Sequence, residues 1–155
     1  MVIGNSASTH SWLNNLMFLA FVFSMHAAHA LDNPDAPDLI GEFEAREQVL
    51  LKAVNNPDNG SRANLIAYDD YLTFLDAELN NAYKLVKSKL SKDRQQELKK
   101  SQQNWILFRD AEFVLIKNNW TNQDFGSSSG LSRGSYRCSV VRSRVLQLLN
   151  YAKNY

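Results

Sequence analysis

An all-α fold, a small antiparallel bundle of about four helices with one long Gly/Ser-rich loop, is predicted by three features of the chain. Apolar residues return every three or four positions, no segment after residue 30 shows sustained apolar–polar alternation, and Gly and Pro gather at the boundaries between periodic stretches. Before the first of these stretches, residues 1–30 contain no Asp, Glu, Lys or Arg and carry the compact apolar run LMFLAFVF, with Ala28 and Ala30 as small residues ahead of LDNPD. This pattern predicts a secretory signal peptide over 1–30 and a single mature domain over 31–155. The run is too short to span a bilayer, which takes roughly 20 apolar residues, so no stable membrane insertion is expected after cleavage. No Lys or Arg precedes the run, and an uncleaved amphipathic leader is the alternative.

The first helix follows LDNPDAPD, with Leu39, Phe43, Arg46, Val49, Leu50 and Val54 at helical spacing until NNPDNGS breaks the pattern. A longer second helix carries Leu65, Tyr68, Leu72, Leu75, Leu79, Tyr83, Val86 and Leu90. Ser91 is a suitable N-cap for the third, with Asp93 in the first turn where the helix dipole favours an acid. That helix runs through Leu98, Trp105, Phe108 and Leu115 to about Trp120. Thr121 to Ser135, rich in Gly and Ser, is read as the long loop, and a fourth helix carries Tyr136, Val140, Val141, Val145, Leu148, Leu149 and Ala152.

A formal net charge of +1 gives no whole-molecule attraction to nucleic acid or to acidic membranes. The distribution is less even: Leu31 to Asp58 holds seven acids against two bases, and Phe125 to Tyr155 holds five bases and no acid. Either these two ends lie together and neutralise, or the C-terminal segment faces an anion. The single cysteine, Cys138, cannot close an intrachain disulfide; it is buried and inert, or it pairs between chains.

Charged residues stand in the most apolar turns of the chain. Trp105 to Ile116 reads WILFRDAEFVLI, and a helix apolar almost all round is expected at the centre of a bundle. Leu98, Gln102, Trp105, Arg109 and Glu112 share one stripe of this third helix, so Arg109 is expected to pair with Glu112, while Asp110 points elsewhere. Asp76, Asn80 and Tyr83 share a face of the second helix and are the acceptors expected to satisfy Arg109. These residues form a candidate structural polar cluster. A catalytic use of Glu112 beside Trp105 is disfavoured because Arg109 would hold it ionised, which is wrong for a general acid. The histidines all lie within residues 1–30, and GSSSG lacks the Lys and Ser/Thr of a phosphate loop. No catalytic residue, metal or cofactor is therefore expected, and the protein is read as a binder rather than an enzyme.

The elements DxxLNxxY (Asp76, Leu79, Asn80, Tyr83) and QxxWxxxRDxE (Gln102, Trp105, Arg109, Asp110, Glu112), followed by an arginine-bearing helix with Arg144 and Leu148, resemble the LprI lysozyme inhibitor family of secreted bacterial proteins. The similarity runs from about Tyr68 to Tyr151 and adds Arg144 to the polar cluster. It implies a small helical periplasmic or surface protein whose partner is a protein: lysozyme, or some other envelope or incoming protein such as a toxin. The family commonly has a cysteine where Phe113 stands here, so Cys138 resembles half of a bridge whose partner has been replaced. Lysozyme's active site is a cleft with two acids. Ser127, Ser128, Ser129, Ser132 and Arg133, between Gly126, Gly130 and Gly134, are accordingly the candidate partner-binding loop.

Overall fold

The computed structural model describes residues 37–155, and the expected signal peptide lies outside them. Four long helices, α1 (Leu39–Val54), α2 (Ser61–Lys89), α3 (Lys92–Asn119) and α5 (Ser129–Lys153), are joined by short turns, with a single-turn helix α4 (Asn122–Phe125) and a 3-10 turn (Gly126–Ser128) between α3 and α5. There is no strand among the described residues, as the helical periodicity predicts. Local signals set the ends. The Asp38 side chain accepts from the Gly41 amide at the start of α1, Ser91 takes the N-cap position of α3, and Thr121 caps α4 by accepting from the Asp124 amide. No described helix is long and apolar enough to cross a membrane.

The Gly/Ser-rich stretch expected as a loop is helical from Ser129 onward. Only Gly126 has a positive φ, +60°, and this residue makes the turn out of α4. Gly130 and Gly134 are there for space. A Cβ on Gly134 would lie 2.7 Å from Cγ of Tyr68, and one on Gly130 would lie 2.9 Å from a methyl of Leu65. Their missing side chains let the first turns of α5 press against α2. Ser129 is buried and donates its hydroxyl to Asn122, which ties the start of α5 to α4.

α2 and α5 form the centre of the molecule. Tyr71, Leu75, Leu79, Ala82 and Val86 of α2 face Cys138, Val141, Val145, Leu148, Leu149 and Ala152 of α5, and α1 closes this core with Phe43 and Val54. Each large apolar side chain removed from water here contributes about 1.5–3 kcal/mol. The expectation that α3 is central is overturned: of its residues only Leu98 and Ile116 are buried, and it packs chiefly on α5. An all-round apolar helix can be peripheral when its outward face is simply left bare.

An ion cluster that the periodicity did not single out sits in the core. Glu47, fully buried, accepts a hydrogen bond from the Tyr71 hydroxyl and two from Arg142, whose Nε and second terminal nitrogen each stand 2.8 Å from a carboxylate oxygen. Arg142 also reaches Glu44 at 3.4 Å and lies over the Phe43 ring. α1, α2 and α5 thus share one carboxylate, and the acid-rich and acid-free ends of the chain neutralise each other at this point. A second pair, Arg46 to Glu78 at 2.7 Å, joins α1 to α2 at the edge.

Two stability outcomes follow from these contacts. Glu47→Ala leaves the buried Tyr71 hydroxyl unpaired and Arg142 with Glu44 alone, and is expected to cost about 1–3 kcal/mol in urea unfolding, whereas Gly134→Ala, which must displace the Tyr68 ring, is expected to cost about 1–3 kcal/mol. Burial, followed by the Glu47 contact, raises the Tyr71 pKa. Its contribution is therefore complete below the unfolded tyrosine value of about 10 and falls as pH rises above it. Stability of the parent is expected to fall in that range more steeply than that of Tyr71→Phe.

Candidate functional site

Along the seam between α3 and α5, cations and aromatic rings alternate. The Arg144 guanidinium lies 5.9 Å from the Trp105 ring centre, Arg109 lies 5.6 Å from the same ring and 5.9 Å from Phe113, and Arg137 lies 5.5 Å from Phe113. The order is Arg144, Trp105, Arg109, Phe113, Arg137, with the end residues on α5 and the middle three on α3. Each such contact is worth about 0.5–1 kcal/mol where exposed and more where water is excluded. Two of these contacts, Arg144 on Trp105 and Arg137 on Phe113, cross between the helices and help to hold α3, which buries few apolar side chains, to α5.

The ladder has three cations and little negative charge to match them. Arg109 donates through two nitrogens to one carboxylate oxygen of its neighbour Asp110, at 2.8 and 2.9 Å, and also acts on Asp76, where it partly offsets the rise in pKa that burial produces. Arg144 is 6 % exposed and meets only neutral acceptors: Gln102 at 3.1 Å, Ser101 at 3.1 Å and Gln147 at 2.6 Å. With no carboxylate beside it, burial lowers its pKa. Nε of Arg137 is buried without a hydrogen-bond partner. Beside Arg144 opens a groove of about 830 Å³ between the two helices, with Trp105, Phe108 and Tyr151 as aromatic walls and Ser143 and Asn150 among its polar ones.

These are the residues in which the family motif is written, and the comparison with known families decides their kinship: the model of the lysozyme inhibitor LprI family matches residues 54–148. The chain belongs to the LprI family. The match begins at the last residue of α1 and takes in α2, α3, α4 and most of α5. Comparisons with curated proteins and with solved structures give no match.

Of the sequence-predicted LprI cluster, the structure brings Gln102, Trp105, Arg109 and Arg144 together, with Asp110 on Arg109. It does not pair Arg109 with Glu112, which lies half-buried on the same helix with no hydrogen-bond partner for its side chain among the described residues. The reason is geometric: Asp110 can reach the guanidinium edge while the guanidinium face stays on Trp105 and Phe113. Asn80 donates to the Asp76 carbonyl within α2, and Tyr83 is half-buried, so neither supplies an acceptor to Arg109. The candidate binding loop is also redistributed. Ser127 and Ser128 are exposed, Ser129 is buried, Ser132 is half-buried in α5, and Arg133 donates to the Trp120 carbonyl at the end of α3 instead of projecting outward. Sequence reasoning missed Glu47, Tyr71, Arg137 and Arg142. Glu47 had a visible signal, since it interrupts the apolar stripe Phe43, Leu50, Leu51, Val54 one turn after Phe43.

Cys138 is buried against α2, its thiol 3.6 Å from the Tyr68 carbonyl, and burial pushes its pKa up to about 12. It is expected to resist a thiol reagent at pH 8 in the folded protein and to react fully in denaturant. Trp105→Ala removes the platform shared by Arg109 and Arg144. It is expected to cost about 2–4 kcal/mol and, in hydrogen exchange, to raise the rates of α3 amides above those of α2 and α5.

Proposed function

We propose that this chain is a secreted lysozyme inhibitor of the LprI family, acting by binding and not by catalysis, and that it meets the enzyme with the arginine-bearing seam of α3 and α5. The observation that carries the reading is the charge mismatch along the ladder: three guanidinium groups and one directly paired carboxylate, beside a groove with aromatic walls. Lysozyme's cleft holds two carboxyl groups. A cationic edge with flat rings next to it is complementary to such a cleft in charge, and electrostatic complementarity supplies orientation and association rate. The Gly126–Gly134 segment is a weaker candidate because Arg133 already holds the Trp120 carbonyl. The charge-free N-terminal run and the family kinship together support passage into the periplasm or beyond it.

Turbidity loss of a cell-wall suspension, followed with and without the purified protein, tests this directly. Inhibition at micromolar concentration is expected, weakened about tenfold in Arg137→Ala, equivalent to roughly 1.4 kcal/mol, and relieved by salt. Arg133→Ala is expected to lower the melting temperature and leave inhibition by the folded fraction intact. Absence of inhibition by the parent would discard the proposal, and loss confined to Arg133→Ala would return the contact to the Gly/Ser-rich segment.

A further inference from the structure

From the rim of the α3–α5 groove, where Phe108 stands, round to its outer side, α3 is apolar and bare. Leu107 is 69 % exposed, Val114 59 %, Phe108 54 % and Leu115 48 %, with Ala111 exposed between them. These side chains present on the order of 450 Å² of apolar surface, the size of the largest single patch on an ordinary monomer, which is often a functional one. The stripe is also self-complementary. Counting outward from Ala111, Val114 answers Phe108 at three residues, Leu115 answers Leu107 at four, and Asn118 answers Asn104 at seven.

We propose that this face pairs with the same face of a second copy of the chain, the two α3 helices antiparallel about a two-fold axis at Ala111. A two-fold interface presents one patch to itself, so the patch must match its own reversal, and this one does. Leu107 of one copy lies on Leu115 of the other and Phe108 on Val114, Asn104 meets Asn118 at each end, and the small Ala111 lets the helices approach at the centre. No charged residue stands among these seam positions. Of the two acids flanking Ala111, Asp110 is neutralised by Arg109 of its own chain and Glu112 is turned toward the bundle, half-buried. Face to face, the two patches bury about 1,000 Å², at the lower limit for a specific interface. The dimer is accordingly reversible, dissociating in the range of about 1–100 µM. This pairing shares only Phe108 with the α3–α5 groove proposed to meet lysozyme.

Sedimentation equilibrium of the purified protein is expected to show the average mass rising from one chain toward two as concentration increases through that range. Leu107→Asp, at a position that packs on nothing in the bundle, is expected to remain a single chain with an unchanged melting temperature. Register is read by cross-linking under mild oxidation, from which the buried Cys138 stays apart. Ala111→Cys is expected to link to itself, and Phe108→Cys to link to Val114→Cys in a mixture while neither links alone. A single chain at every concentration overturns the proposal, as does a Leu107→Asp protein that still pairs or a Phe108→Cys protein that links to itself. Should the parent stay single while Leu107→Asp abolishes binding to lysozyme or to lipid vesicles, the face belongs to that partner and the pairing is wrong.

Discussion

The close approach of α5 to α2 is the constraint on which the rest of the molecule depends. Gly130 and Gly134 remove the side chains that would hold the two helices apart, and Ala67, Ala82 and Ala152 are buried in the same core. Two helices packed this tightly leave one long trough to be covered, and α1 covers it, bringing Glu47 to Arg142 and Tyr71. A carboxylate with three charge-assisted or hydroxyl donors is tolerable in an apolar interior only if every donor arrives in place. The cluster therefore contributes specificity more than net stability: it fixes how α1 sits on the α2–α5 pair, because any slip would strand a charge.

With that trough closed, α3 has no interior to enter. It lies against α5 through Leu98 near one end, Ile116 near the other and the arginine–aromatic ladder between them. This resolves the presence of Arg109 and Asp110 in the most apolar turns of the sequence. Trp105 and Phe113 lie against guanidinium groups, the Arg109 edge is answered by Asp110, and Leu107, Val114 and Leu115 look away from the bundle. Charge near these rings is a packing material here, since a guanidinium lies flat on an aromatic face while keeping its edge for hydrogen bonds.

The helical class, the Ser91 cap, the stop near Trp120 and the motif residues that gather around Arg144 were legible because they depend on local spacing. What spacing could not reveal was which of four amphipathic helices is central. Trp105 to Ile116 looks more buried than any other stretch, yet Leu107 and Val114 face outward, while Ala67, Ala82 and Gly134, which look unremarkable in sequence, sit where the helices touch. Small residues mark the closest contacts and leave almost no trace in an apolar pattern. The same effect disguised Thr121 to Ser135: Gly in a helix is a poor local choice, and only the Tyr68 ring and the Leu65 methyls explain it. Glu47 was hidden for a related reason, an acid in an apolar stripe being readable as a buried ion only once Arg142 is known to lie opposite.

The Phe113 ring is gripped between Arg109 and Arg137. A covalent clasp at that point would close only in the presence of an oxidant and would open to a reductant. The aromatic clasp closes as soon as the helices meet, so the attachment of α3 is set by folding alone, the same in oxidising and in reducing surroundings.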